Sequence, residues 1–121
     1  MRYMLTIYGD PSAMADASPE EQQAEMQRWF EYTEELRNAG VMVTGDALQT
    51  SDTATTLRYN GGGEPTVTDG PFAETKEQLG GYYVLECGNL DEALEWAKKL
   101  PSRGGSAELR PAVDFSEERA Q

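Results

Sequence analysis

Two helix-start signatures, each placed behind a β-rich run, limit what this chain can fold into more than any other feature. In Ser18-Pro19-Glu20-Glu21, Ser18 is a cap, Pro19 suits the first helical position and Glu21 completes a capping box. Met26, Trp29, Phe30, Thr33 and Leu36 then recur at helical spacing, until Gly40 stops the helix. In Asn89-Leu90-Asp91-Glu92 the pattern repeats, with Asn89 as cap and Glu92 reaching back. Leu90, Ala93, Leu94, Ala97 and Leu100 form the inward stripe of this second helix, which Pro101 ends.

The remaining segments read as strands. Residues 2–8 are β-rich and end at the turn cluster Gly9-Asp10-Pro11. Val41-Met42-Val43-Thr44 starts a second strand, interrupted by Gly45 and extending toward Leu48. Ala54–Tyr59 and Pro65–Thr68 flank Asn60-Gly61-Gly62-Gly63 and predict a hairpin. A firm strand follows over Gly81–Cys87, and the last covers Ala107–Ala112 after a flexible linker at Ser102–Ser106. The order β-α-β-(β-hairpin)-β-α-β is a ferredoxin-like α+β pattern with an inserted hairpin and an antiparallel sheet. It occupies one domain, residues 1–113, followed by a charged tail over 114–121.

Such a layout places both helices on one face of the sheet. The first strand puts Tyr3, Leu5 and Ile7 on one side and Met4, Thr6 and Tyr8 on the other, and both sides are largely apolar. Two apolar faces with helices on only one of them imply a partner sheet. Composition agrees. Apolar residues make up 38% of the 121, and counting the 12 Gly in place of the 6 Tyr gives about 43%, slightly under the usual range of about 45–50%. A small domain with a thin apolar supply often covers further surface against a second copy of itself, so a homodimer is expected.

With 10 Lys and Arg against 22 Asp and Glu, the formal net charge is −12. That field repels phosphate backbones and anionic headgroups, so neither direct nucleic-acid binding nor membrane binding is expected. No apolar h-region or spanning segment is present, which predicts a cytoplasmic protein. The single Cys87 excludes an internal disulfide and lies in an apolar strand pattern, as a buried structural thiol would. There is no histidine, so the usual imidazole acid–base carrier is missing and so are the common zinc constellations. Neither a metal nor a cofactor is expected.

Residues 69–78, Asp-Gly-Pro-Phe-Ala-Glu-Thr-Lys-Glu-Gln, are the most distinctive stretch. Asp69-Gly70-Pro71 reads as a tight turn, Phe72 as a core plug, and Thr75 with Gln78 as a local cap. Read functionally, Asp69 and Glu74 are candidate acid–base carboxylates, Lys76 is an anion or carbonyl contact, and Phe72 is the wall of a ligand site. Arg110, on the last strand, needs an acidic partner or a bound anion if it is covered, and Glu86 and Glu108 are the nearest candidates. The aromatics Tyr3, Tyr8, Tyr82, Tyr83, Trp29 and Trp96 are material either for the core or for the wall of a pocket. The candidate ligand-binding set is therefore Tyr8, Asp69, Phe72 and Arg110, and the weak catalytic candidates are Asp69, Glu74 and Lys76.

The Asp69–Gln78 run resembles the signature loop of the DGPF branch of the YCII-related family. Further matching stretches are Ala39-Gly40-Val41, Gly45-Asp46-Ala47-Leu48, Gly80-Gly81-Tyr82-Tyr83, Leu90–Ala97 and Glu108-Leu109-Arg110-Pro111. The resemblance implies a dimeric α/β barrel, in which two sheets close face to face. It also implies a setting beside extracytoplasmic-function sigma factors, because DGPF proteins are frequently encoded next to them. Other YCII-related proteins carry a histidine–carboxylate pair near the first helix, the basis for regarding them as enzymes, and this chain lacks that histidine. The leading expectation is a non-enzymatic small-molecule-binding or accessory module. The alternative is an enzyme acting on a small metabolite through carboxylates and tyrosines in the barrel cleft.

Overall fold

A computed structural model describes residues 1–115. The chain runs β1 (Arg2–Gly9), α1 (Pro19–Asn38), β2 (Met42–Ala47), β3 (Thr55–Arg58), β4 (Thr66–Asp69), β5 (Gln78–Glu86), α2 (Leu90–Lys98) and β6 (Ser106–Pro111). The main sheet has the order β2-β5-β1-β6 with every neighbour antiparallel, which is the ferredoxin-like arrangement. Strands β3 and β4 form a separate two-stranded sheet, the inserted hairpin. Of the expected tail, residues 116–121 lie outside the described residues.

Both helix caps form, although at the first only the Ser18 half of the expected capping box is present among the described residues. The Ser18 hydroxyl accepts from the Glu21 N–H at 3.1 Å, and the Asn89 side chain accepts from the Glu92 N–H at 2.9 Å. The Glu92 carboxylate reaches back one residue further than a standard capping box and takes the Gly88 N–H at 2.9 Å. Gly40 ends α1 with φ +70°, which lets the Val41 N–H return to the Leu36 carbonyl at 3.0 Å.

Both helices cover one face of the sheet. There Tyr3 and Leu5 of β1 meet Leu85 and Tyr83 of β5, and Tyr32 and Leu36 of α1, Val41, Cys87 and Ala93 of α2 complete the core. The Tyr32 hydroxyl donates to the Trp96 carbonyl at 2.8 Å, tying the two helices together, and burial pushes its pKa well above the ordinary phenol value. Cys87 is buried as expected, and burial raises its thiol pKa, so the thiol stays protonated and unreactive at neutral pH.

Three expectations are corrected. Met26 and Phe30 are 72% and 59% exposed, and the residues of α1 that reach the core are Tyr32 and Leu36, with Trp29 half-buried against them. In α2, Leu90 and Leu94 are exposed and Ala93 is the buried residue, with Trp96, Ala97 and Leu100 packed around the core. The third concerns β2, which runs through Gly45 without a break. Its irregularity is a register shift between Met42 and Thr44, where Val43 is the extra residue.

On the opposite face, Met4, Thr6, Tyr82 and Val84 share their side with Glu108 and Arg110 of β6. Met4 is exposed and the other three are only partly covered, since nothing among the described residues packs over this face.

Candidate functional site

A cleft of about 710 Å³ opens between the middle and C-terminal half of α1 and the sheet, beside β2 and the start of β5. Its size falls within the usual range for small-molecule sites, roughly 300–1,000 Å³. The helix contributes Met26, Trp29, Phe30 and Thr33 to one wall, and the sheet contributes Ile7, Gly45, Gly81 and Tyr83. Leu48 and Leu79 add exposed apolar surface. Glycine is required in this wall because the neighbouring strand and ring approach it closely. At Gly45 there is no room for more: a Cβ would lie 2.7 Å from Tyr83 Cδ1 and 2.9 Å from the Tyr82 carbonyl oxygen. At Gly81 it would stand 3.0 Å from the Asp46 carbonyl oxygen.

A short chain of hydrogen bonds runs through the inner wall. The single Thr33 hydroxyl proton is donated to the Trp29 carbonyl at 3.0 Å, so the Tyr83 hydroxyl, 2.7 Å from Thr33 Oγ1, is the donor in that pair. The Trp29 indole N–H donates to Glu25 Oε1 at 3.0 Å. The hydrogen bond from Arg28 holds the Glu25 carboxyl below its ordinary pKa against the opposing effect of burial, with a smaller contribution from the Trp29 hydrogen bond. Tyr83 stands edge-on to Tyr32 with ring centroids 5.6 Å apart, which fixes its ring from the core side. At Asp10, which also lines the cleft, hydrogen bonds from the Ser12 hydroxyl and N–H keep the carboxyl ionised.

Of the ligand-binding candidates read from sequence, Tyr8 lines this cleft, at the register shift between β1 and β5. The other three are elsewhere. Asp69 ends β4 and, with Glu74 and Asp52, borders a second, more polar hollow of about 590 Å³ at the signature loop. Phe72 is 76% exposed, so the expected core plug is overturned: the loop belongs to the hairpin sheet, which has no core beneath it. Thr75 and Gln78 do close the loop locally, the Gln78 amide donating to the Thr75 carbonyl at 3.2 Å. Arg110 lies on the uncovered sheet face, exposed, and pairs with Glu108 at 2.8 Å, one of the two expected partners. Lys76 is exposed and does not line either hollow.

Sequence reading missed the roles of Thr33, Gly45 and Gly81. The signal for Thr33 is present: it lies one turn after Trp29, where a β-branched hydroxyl bonds back to the preceding turn. Among the described residues, no group of three or more Cys, Asp or Glu side chains is placed to hold a metal ion. Among the described residues, too, no helix is long and apolar enough to cross a membrane.

Fold and cleft together define a ferredoxin-like α+β domain with one largely apolar cavity between its first helix and its sheet. The YCII-related domain model matches residues 1–116. An uncharacterized protein of Rhizobium meliloti (strain 1021) is 40% identical over 114 residues, spanning 92% of this chain and 91% of that protein. The chain belongs to the YCII-related domain family.

Proposed function

We propose that this chain is a non-enzymatic small-molecule-binding or accessory module that works as a homodimer and takes its ligand in the cleft between α1 and the sheet. One observation carries the reading: a preformed apolar cavity whose inner-wall hydroxyls are tied to one another rather than poised for proton transfer. Cys87 is buried, and the carboxylates of the signature loop border a different hollow. For the alternative, an enzyme using carboxylates and tyrosines, the closest pairing is Tyr82 with Asp46 at 2.8 Å. That bond raises the Tyr82 pKa, which disfavours the phenolate a general base would need. Service in an extracytoplasmic-function sigma-factor pathway, inside the cytoplasm, belongs to the same proposal and is supported by family resemblance alone.

A thermal-shift screen of metabolites tests the ligand reading. A true ligand at about 100 times its Kd adds about 2.7 kcal/mol, a rise of several degrees in Tm. Phe30→Ala, which removes an exposed cleft wall, should lose most of that rise, and Asp69→Ala should keep it. A screen without a stabilising compound defeats the reading. So does a ligand whose effect disappears with Asp69→Ala and survives Phe30→Ala.

The homodimer rests on the uncovered sheet face, where Met4, Tyr82 and Val84 lack a neighbouring layer. Light scattering at micromolar concentration should return twice the mass of one chain; the mass of a single chain is the contrary result.

A further inference from the structure

Charge and aromatic surface favour one kind of polar end for a ligand in the cleft. Thr33, Tyr83 and Trp29 have spent their donors, whereas the Tyr8 hydroxyl and the Gln49 amide, also on the lining, are in no hydrogen bond among the described residues. The Thr33 proton is on the Trp29 carbonyl, the Tyr83 proton is on Thr33 Oγ1, and the Trp29 N–H is on Glu25. What the phenol of Tyr83 can still offer is its oxygen lone pairs, an acceptor. Among the described residues Arg37 is the single cationic one lining the cavity, and one nitrogen of its guanidinium is paired with Glu34 at 2.9 Å. Against it stands the ionised Asp10 carboxylate, within a chain of net charge −12. The aromatic walls point the same way, since the electron-rich faces of indole and phenyl rings attract cations.

We propose, resting on the ligand-binding reading above, that the cleft selects a lipophilic amine: an aromatic or alicyclic skeleton ending in a protonated nitrogen. An ammonium group supplies the positive charge that the aromatic walls and the Asp10 carboxylate attract. A carboxylate or phosphate of the same shape would meet the Asp10 carboxylate and the chain's net charge of −12 as like charges. The field of the whole chain also concentrates cations at its surface, which favours their capture.

Three compounds sharing one indole skeleton test this: tryptamine, indole-3-ethanol and indole-3-acetate, titrated calorimetrically against the full chain. Tryptamine should bind at least about tenfold more tightly than indole-3-acetate, with the alcohol between them. Raising the salt concentration should narrow the gap, because the chain's long-range field is screened. Asp10→Asn should reduce the amine-to-carboxylate ratio several-fold and leave the alcohol unchanged, and Phe30→Ala should weaken all three. Equal or tighter binding of indole-3-acetate overturns the amine preference and leaves ligand binding in the cleft standing. Binding by none of the three overturns the amine preference as well, and the broad metabolite screen then decides separately whether the cleft takes any ligand.

Discussion

Leu5→Ala should lower the midpoint of thermal unfolding by about 10 °C or more. Leu5 is fully buried at the centre of β1, with Tyr83 opposite it on β5 and Leu109 opposite it on β6. Truncating a buried leucine costs about 2–5 kcal/mol, because its transfer energy is lost and the cavity left behind closes only in part. This site has little capacity to close. Its strand is hydrogen-bonded on both edges, and Tyr83 is held by Thr33 and Tyr32. Small domains are stable by only about 5–15 kcal/mol, so the loss is a large share of the total. Met4→Ala, one residue away on the uncovered face, should cost far less within one chain. Under the homodimer proposal its effect should shrink as the protein is diluted below the dimer's Kd. Circular dichroism melts of both variants at two concentrations check this, and a shift under about 3 °C for Leu5→Ala would contradict the packing described.

The architecture was legible in the sequence because local chemistry set it. Ser18, Asn89 and Gly40 mark helix ends through their own hydrogen bonds and backbone freedom, and the alternation of Tyr3, Met4, Leu5 and Thr6 separates the two sheet faces. The rotation of each helix about its axis was harder to read. In α1 the apolar arc is wide enough to hold two stripes: Trp29, Tyr32 and Leu36 press on the core, whereas Met26, Phe30 and Thr33 look onto the cleft. A helical repeat shows that such an arc exists without showing which edge of it meets the sheet. Phe72 misled for a different reason. An aromatic after a Gly-Pro turn suits a core plug only when a core lies beneath the loop, and the separate hairpin sheet puts this one over solvent. The cleft was hardest to read: of the four ligand-binding candidates, Tyr8 lines it, and Asp69 borders the second hollow. Crowded charges at 69–78 drew attention to chemistry, while the wall of the cleft requires glycines and one threonine.

Gly45→Ala should be the most damaging one-carbon change in the cleft. Glycine inside a strand usually reads as a weakness, since it adds no packing and costs backbone entropy. Here it is the close approach of β5 that requires it. An added methyl carbon would sit 2.7 Å from the Tyr83 ring and 2.9 Å from the Tyr82 carbonyl oxygen, both inside the distance real carbons tolerate. Neither neighbour yields easily: the carbonyl belongs to the central ladder, and the ring is wedged against Tyr32 with its hydroxyl on Thr33. Overpacking of this kind costs about 1–3 kcal/mol. The strain falls on the residue that lines both the core and the cleft, so stability and ligand binding should decline together. That coupling separates this variant from Phe30→Ala, which should weaken binding with little change in Tm. The check is to melt both variants and titrate them with a ligand found in the screen. A Gly45→Ala protein that keeps wild-type stability and affinity would mean that Tyr83 is free to move, and the hydrogen-bond chain through Thr33 would then no longer define the wall of the cleft.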